Sequence, residues 1–268
     1  MSENHRKLML YQVDAFTSRV FGGNPAAVVP LDAWLPEDRL QEIAAENNLS
    51  ETAYFVPLPD DRFHLRWFTP VDEVPLCGHA TLASAHVILN LLQPHRMSVR
   101  FETLSGELVV ERRGNQLVMD FPRRIPESCT PPPELVPALG VSPQRVLKTG
   151  TDPNYYAVYP DEATVLGIRP DMALLAKVDA GGVCITAPGE TSDFVSRYFA
   201  PAFGIPEDPV TGSTHCALIP YWAQRLGRQK LFARQVSARG GELHCELRGE
   251  RVAIAGTAAL YLVGEILL

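Results

Sequence analysis

Residues 76–92 read LCGHATLASAHVILNLL, a run without a single Asp, Glu, Lys or Arg. The run is longer than a typical strand and rich in Ala and Leu, which predicts a helix starting near Gly78 and stopping before Pro94. A helix that is apolar around most of its circumference has no face to offer water, so protein must enclose it. The second half echoes this arrangement. Trp67-Phe68-Thr69-Pro70, an acidic residue and Cys77-Gly78-His79-Ala80 open the first uncharged run. Tyr198-Phe199-Ala200-Pro201, Glu207-Asp208 and Thr211-Gly212-Ser213-Thr214 open a second, which continues through Trp222. The intervals differ by three residues, which makes this approximate self-similarity and not a tandem repeat. Pro220 falls inside the second run and should kink or shorten its helix.

The segments around these helices read mainly as strands. In residues 10–30, two β-favouring runs flank the turn cluster Gly22-Gly23-Asn24-Pro25. A helix is expected over residues 36–46, with Pro36 and acidic residues in its opening turn and Asn47-Asn48 at its end. A strand over 52–56 follows, which leaves Ser50 and Glu51 at a helix-to-strand junction. Residues 63–68 alternate apolar and polar, the period of a half-buried strand. Residues 99–121 give further strands broken by Gly106 and Gly114-Asn115, and residues 236–247 and 251–266 do the same near the C-terminus. Residues 122–137, with three consecutive prolines from Pro131 to Pro133, read as an extended linker. The expected fold class is α+β, two related halves, each a curved and mostly antiparallel sheet around one buried helix.

A net charge of -7 and the absence of any Lys/Arg stripe argue against nucleic-acid binding. No stretch approaches the ~20 apolar residues of a membrane span, and the N-terminal segment lacks the apolar run of a signal peptide. The five cysteines are odd in number, widely spread and without a CxxC pair. That pattern fits neither a disulfide framework nor a structural zinc site, and points to a reducing cytoplasm.

Helix starts carry about half a positive charge and several unsatisfied N–H groups. Glycine at the entry lets an anion approach that backbone closely. If Gly78-His79 and Gly212-Ser213 open two helices in facing domains, their N-termini suit a carboxylate, and suit better an enolate developing on it. Neither a metal nor an organic cofactor is required. Glu51 is the candidate general acid/base, since partial desolvation raises a glutamate's pKa toward useful strength near neutrality. His79 and Asp208 are candidates for substrate hydrogen bonding or a proton relay. Each residue also has a plain structural reading: a solvated surface glutamate, a core histidine, a turn or cap aspartate before Pro209, and small residues at a helix entry.

Taken in order, these segments resemble the PhzF-like family, phenazine-biosynthesis-type isomerases related in fold to diaminopimelate epimerase. The matching residues are Val13-Asp14-Ala15-Phe16, residues 23–28 (Gly-Asn-Pro-Ala-Ala-Val), and Asn48-Leu49-Ser50-Glu51-Thr52. They continue through Phe68-Thr69-Pro70, Glu73, residues 77–82, Phe199-Ala200-Pro201, residues 207–213, Cys216 and Pro220-Tyr221-Trp222. The resemblance implies two pseudo-symmetric domains, residues 1–124 and 125–268, each a β-barrel around a central helix, with the last strand free to return to the first domain. It also implies an active site in the cleft between them, and a homodimer. It assigns Glu51 as the catalytic acid/base and Gly78, His79, Asp208, Gly212 and Ser213 as substrate-binding or relay residues. Related epimerases place a thiol before each helix-entry glycine. Here Cys77 precedes Gly78, but Thr211 precedes Gly212, and a hydroxyl is far too weak an acid to replace a thiol. A two-cysteine racemase mechanism is not expected, and Cys77 reads as packing.

The leading expectation is therefore a cofactor-independent isomerase or epimerase that moves a proton on a small carboxylic acid. The alternative is a non-catalytic small-molecule-binding or protein-interaction module on the same scaffold. A metal-assisted hydrolase using Cys77, His79, His86 or His215 is weaker, because His79 and His86 lie two helical turns apart. Residues 149–156 and 187–191 are the expected specificity loops.

Overall fold

The computed structural model describes residues 6–268, the Phe203 side chain excepted. Strands dominate, joined in antiparallel and parallel pairs, with few helices. The chain divides into two compact units: one made of the N-terminal 120 residues together with 255–268, the other of residues 121–254.

In the first unit, the strand Lys7–Ala15 lies between two antiparallel neighbours. One is Asn24–Pro30, with Val13 opposite Ala26. The other is Ala258–Leu267, with Leu8 opposite Ile266 and a register shift after Gln12. Alongside, Arg6 and Leu268 exchange two backbone hydrogen bonds of 2.9 Å. The turn before Asn24 needs glycine at Gly23, where φ is +59° and a Cβ would lie 2.0 Å from the Ala15 carbonyl oxygen.

The helix Glu37–Asn47 buries Leu40, Ile43 and Ala44 and ends at Asn48, whose left-handed conformation (φ 49°) turns the chain out. Glu51–Pro57 then runs parallel to Asn24–Pro30, with Glu51 opposite Ala26. Arg62–Phe68 pairs with it antiparallel and buries Phe63, Leu65 and Trp67 on alternate positions. Ser98–Thr103 and Gly106–Arg113 extend this arrangement. The uncharged run folds as the helix Gly78–His86, and every residue from His79 to Ala85 is buried. It packs on the strands Lys7–Ala15, Asn24–Pro30, Glu51–Pro57 and Ala258–Leu267. Residues Val87–Leu92 add a π-helical turn before Pro94, which the sequence pattern did not distinguish from α-helix.

In the second unit, Val183–Pro188 pairs antiparallel with Phe194–Ala200 and parallel with Tyr155–Val158. Phe194–Ala200 also pairs parallel with Lys230–Gln235, which pairs antiparallel with Gly241–Arg248. Residues 236–247, expected to supply strands with glycine turns, hold a turn with Gly240 at positive φ followed by the strand Gly241–Arg248. The helix Gly212–Leu226 runs unbroken through Pro220. Proline supplies no N–H to the carbonyl four residues back, but the Arg124 N–H donates to that Cys216 oxygen at 2.9 Å, so nothing there is left unsatisfied. Residues 122–137 are not a bare spacer. Glu127–Ser128 pairs with Leu147 and Lys148, and the short helix Leu135–Leu139 starts inside the stretch because Leu135, Ala138 and Leu139 have a core to enter. All five cysteines are free.

Candidate active site

Four side chains form a chain of contacts in the first unit. Ser50 Oγ donates to Asn24 Oδ1 at 3.4 Å, Asn24 Nδ2 meets His79 Nδ1 at 3.2 Å, and His79 Nε2 lies 3.0 Å from Glu51 Oε2. Backbone construction explains the convergence. Asn24 and Glu51 begin two paired parallel strands, and His79 is the second residue of the helix packed across them. Cys77 Sγ is the other neighbour of His79 Nδ1, at 3.5 Å.

The Glu51–His79 contact is close without being well aligned. Both Oε2 and Nε2 are buried, and neither has a hydrogen bond of good geometry. Unsatisfied buried polar atoms are costly and uncommon in folded proteins. Burial disfavours the charged ring, yet the adjacent Cys77 and Glu51 raise the His79 pKa well above the ordinary histidine value. Cys77 itself is pushed up to about 11 by burial and the Glu51 charge, against the opposing pull of His79. It is thus a neutral thiol at neutral pH, and the Glu51 charge beside Nε2 favours a proton on the ring. The neutral ring accepts from the Asn24 amide at Nδ1, whereas the charged ring donates there and needs the same amide turned end for end.

Cys77 occupies the cap position in an extended conformation, and its side chain makes no capping hydrogen bond. The first N–H groups of a helix are its natural anion-binding groups.

The remaining expected residues belong to the second unit. Asp208 ends the strand Ile205–Asp208 and is half-buried, Gly212 opens the helix and is buried, and Ser213 is half-buried. Thr211 occupies the cap position without capping the helix; its hydroxyl donates to Asp208 Oδ2. Gln235, fully buried, donates through Nε2 to the Asp208 carbonyl at 2.8 Å and to Thr211 Oγ1 at 3.2 Å. Its Oε1 accepts from the Thr211 N–H at 2.8 Å.

Sequence reasoning did not single out Asn24 or Gln235 for roles. For Gln235 a signal existed: Leu231, Ala233 and Gln235 share the buried face of one strand, so a polar group sits where an apolar one is the norm.

Among the described residues, Glu51, Cys77 and His79 form one group with ligand atoms within 4.8 Å of one another. Cys77 faces Nδ1 and Glu51 faces Nε2, and the lone pairs of the two ring nitrogens diverge. An ion taken here would have to strip the Cys77 proton and break the Glu51–His79 contact. His86, at the far end of the helix, is bonded to Asn90. No helix among the described residues is long and apolar enough to cross a membrane.

Comparison with known proteins adds a family. The family model for phenazine biosynthesis-like proteins matches residues 13–264. An uncharacterized isomerase of Pseudomonas aeruginosa is 53% identical over 260 residues, covering 97% of this chain and 99% of that protein. An uncharacterized isomerase of Halalkalibacterium halodurans is 42% identical, with 97% and 98% covered. The crystal structure of a PhzF-family phenazine biosynthesis protein from Enterococcus faecalis superposes with a TM-score of 0.94 at 46% identity, covering 98% of this chain and all of that one. With matches of this length across nearly the whole of each protein, the chain belongs to the phenazine biosynthesis-like (PhzF) family, and it is an isomerase.

Proposed function

We propose that this isomerase works without a cofactor on a small carboxylic acid, moving a proton between two positions or two faces with Glu51 as general acid/base. The observation that carries the reading is the pair of buried atoms, Glu51 Oε2 and His79 Nε2, held 3.0 Å apart without a well-formed hydrogen bond. They lie beside the uncapped start of the Gly78 helix. Two facing buried polar atoms left without a well-formed bond are costly, and a group kept for transfer must stay ready to bond something else.

In this reading the Glu51 carboxylate removes a proton from the carbon next to the substrate's carboxylate. The negative charge that develops on the enolate meets the N–H groups at Gly78 and His79 and the positive end of the helix. Glu51 then returns the proton elsewhere on the same framework, so no atom or electron is gained or lost. Asp208, Gly212 and Ser213 act as substrate-contacting groups. The proposal also takes each unit as a β-barrel about its buried helix, and the working protein as a homodimer.

The test is incorporation of deuterium from heavy water into a panel of small carboxylic acids, followed by mass spectrometry. Glu51→Gln, folded by circular dichroism, should lose exchange by roughly 10²- to 10⁴-fold, the usual contribution of a positioned acid/base. Exchange at the wild-type rate in that variant would remove Glu51 from the mechanism.

A further inference from the structure

The loop before the Gly212 helix carries a fully determined donor–acceptor chain. Asn and Gln amides can often be turned either way, but Gln235 cannot. Its Oε1 faces a backbone N–H, that of Thr211, which only donates. Its Nε2 faces a backbone carbonyl, that of Asp208, which only accepts. The second Nε2 hydrogen is thereby aimed at Thr211 Oγ1, 3.2 Å away. With its oxygen accepting there, the Thr211 hydroxyl has its own proton left to give, and gives it to Asp208 Oδ2. Gln235 is 1% exposed, so water does not compete for these bonds.

We infer that Gln235 is a positioning residue. Through the Thr211 hydroxyl it holds the Asp208 carboxyl ionised and fixed in orientation at the entry of the Gly212 helix. The same amide ties both ends of the Asp208–Thr211 turn, so orientation and charge of the carboxylate are set together. A hydrogen bond given to the charged form of a carboxyl favours that form. The chain Gln235 Nε2–H to Thr211 Oγ1–H to Asp208 is cooperative, each bond polarising the next. This inference rests on the reading of Asp208 as a substrate-contacting group, but its first test needs no substrate.

In protein carrying ¹³C-labelled aspartate, the Asp208 carboxyl is titrated by NMR in wild type, Thr211→Ser, Thr211→Val and Gln235→Met. Thr211→Val keeps the side-chain shape and the Gln235 bonds to the backbone but has no hydroxyl, so its folding does not depend on the group under test. The Asp208 midpoint should rise by about one pH unit in Thr211→Val and in Gln235→Met, and stay near wild type in Thr211→Ser. An unchanged midpoint in Thr211→Val would overturn the relay. A midpoint that moves in Thr211→Val but not in folded Gln235→Met would overturn the role of Gln235. Against an acid that exchanges deuterium, Thr211→Val and Gln235→Met should lose roughly tenfold in rate, with the acid limb of the pH profile shifted upward in step. If no acid in the panel exchanges, the proposed function fails, and the titration still decides the relay.

Discussion

Glu51 and His79 are two groups that stabilise each other only while one is charged negative and the other positive. The folded-state pKa of His79 is raised, so the folded protein holds a proton that the unfolded chain releases near pH 6.5. The stabilisation is complete below that value. It is lost as pH rises from about 6.5 through the raised folded pKa, because over that window the native state binds more protons than the unfolded one. The urea midpoint should therefore fall as pH rises above 6.5, and Glu51→Gln should flatten this slope by removing the neighbouring carboxylate. A slope unchanged by that substitution would show that Glu51 does not charge the ring. The same side chains show what single residues reveal in sequence. Glu51 and His79 stand out through their neighbours, Ser50 at a junction and Gly78 at a helix entry. Asn24 stands beside a proline in an apolar strand, and its partners lie 26 and 55 positions away. No local pattern carries that information, because the contact is made only when parallel strands pair.

Helices built from uncharged runs set a different demand at the scale of the element. The Gly212 helix buries His215, whose Nδ1 lies 2.8 Å from the Thr211 carbonyl oxygen and whose Nε2 is buried without a partner. Burial lowers its pKa to about 4, only partly offset by the bond to Thr211. The sign is opposite to that of His79. The unfolded chain takes up a proton that the native state refuses, so stability is complete above pH 6.5 and is lost as pH falls toward 4. The full loss is about 3 kcal/mol. His215→Gln should keep the helix and shed most of this acid dependence, read as the change in urea midpoint between pH 7 and pH 4. An acid slope unaltered in that variant would locate the sensitivity elsewhere. Both helices were legible in sequence because lack of charge over two or more turns leaves burial as the only outcome. The continuation through Pro220 was not. It depends on the Arg124 N–H reaching the Cys216 carbonyl from 92 positions earlier in the chain.

Across the whole molecule, chain order and spatial order differ. The second unit is an insertion, since residues 255–268 rejoin residues 6–120 and pair along the strand Lys7–Ala15. Strand propensity marks Ala258–Leu267 as a strand, but the choice of a partner some 250 residues away is a property of the completed fold. Deleting residues 255–268 should strip the first strand of one of its two neighbours, while residues 121–254 retain their own core. Tryptophan emission separates the two outcomes, with Trp34 and Trp67 in the first unit and Trp222 in the second. In single-tryptophan versions of the truncated chain, Trp222 should keep its native spectrum and Trp34 and Trp67 should lose theirs. Native emission from all three would show that the last strand is dispensable.

The paired backbones of Arg6 and Leu268 carry one more implication. A short peptide can join Leu268 to Arg6, with which it already exchanges hydrogen bonds, and the chain can be reopened between residues 120 and 121. Such a circular permutant would emerge from the ribosome with the inserted unit first and the interrupted unit second, each encoded by an unbroken stretch.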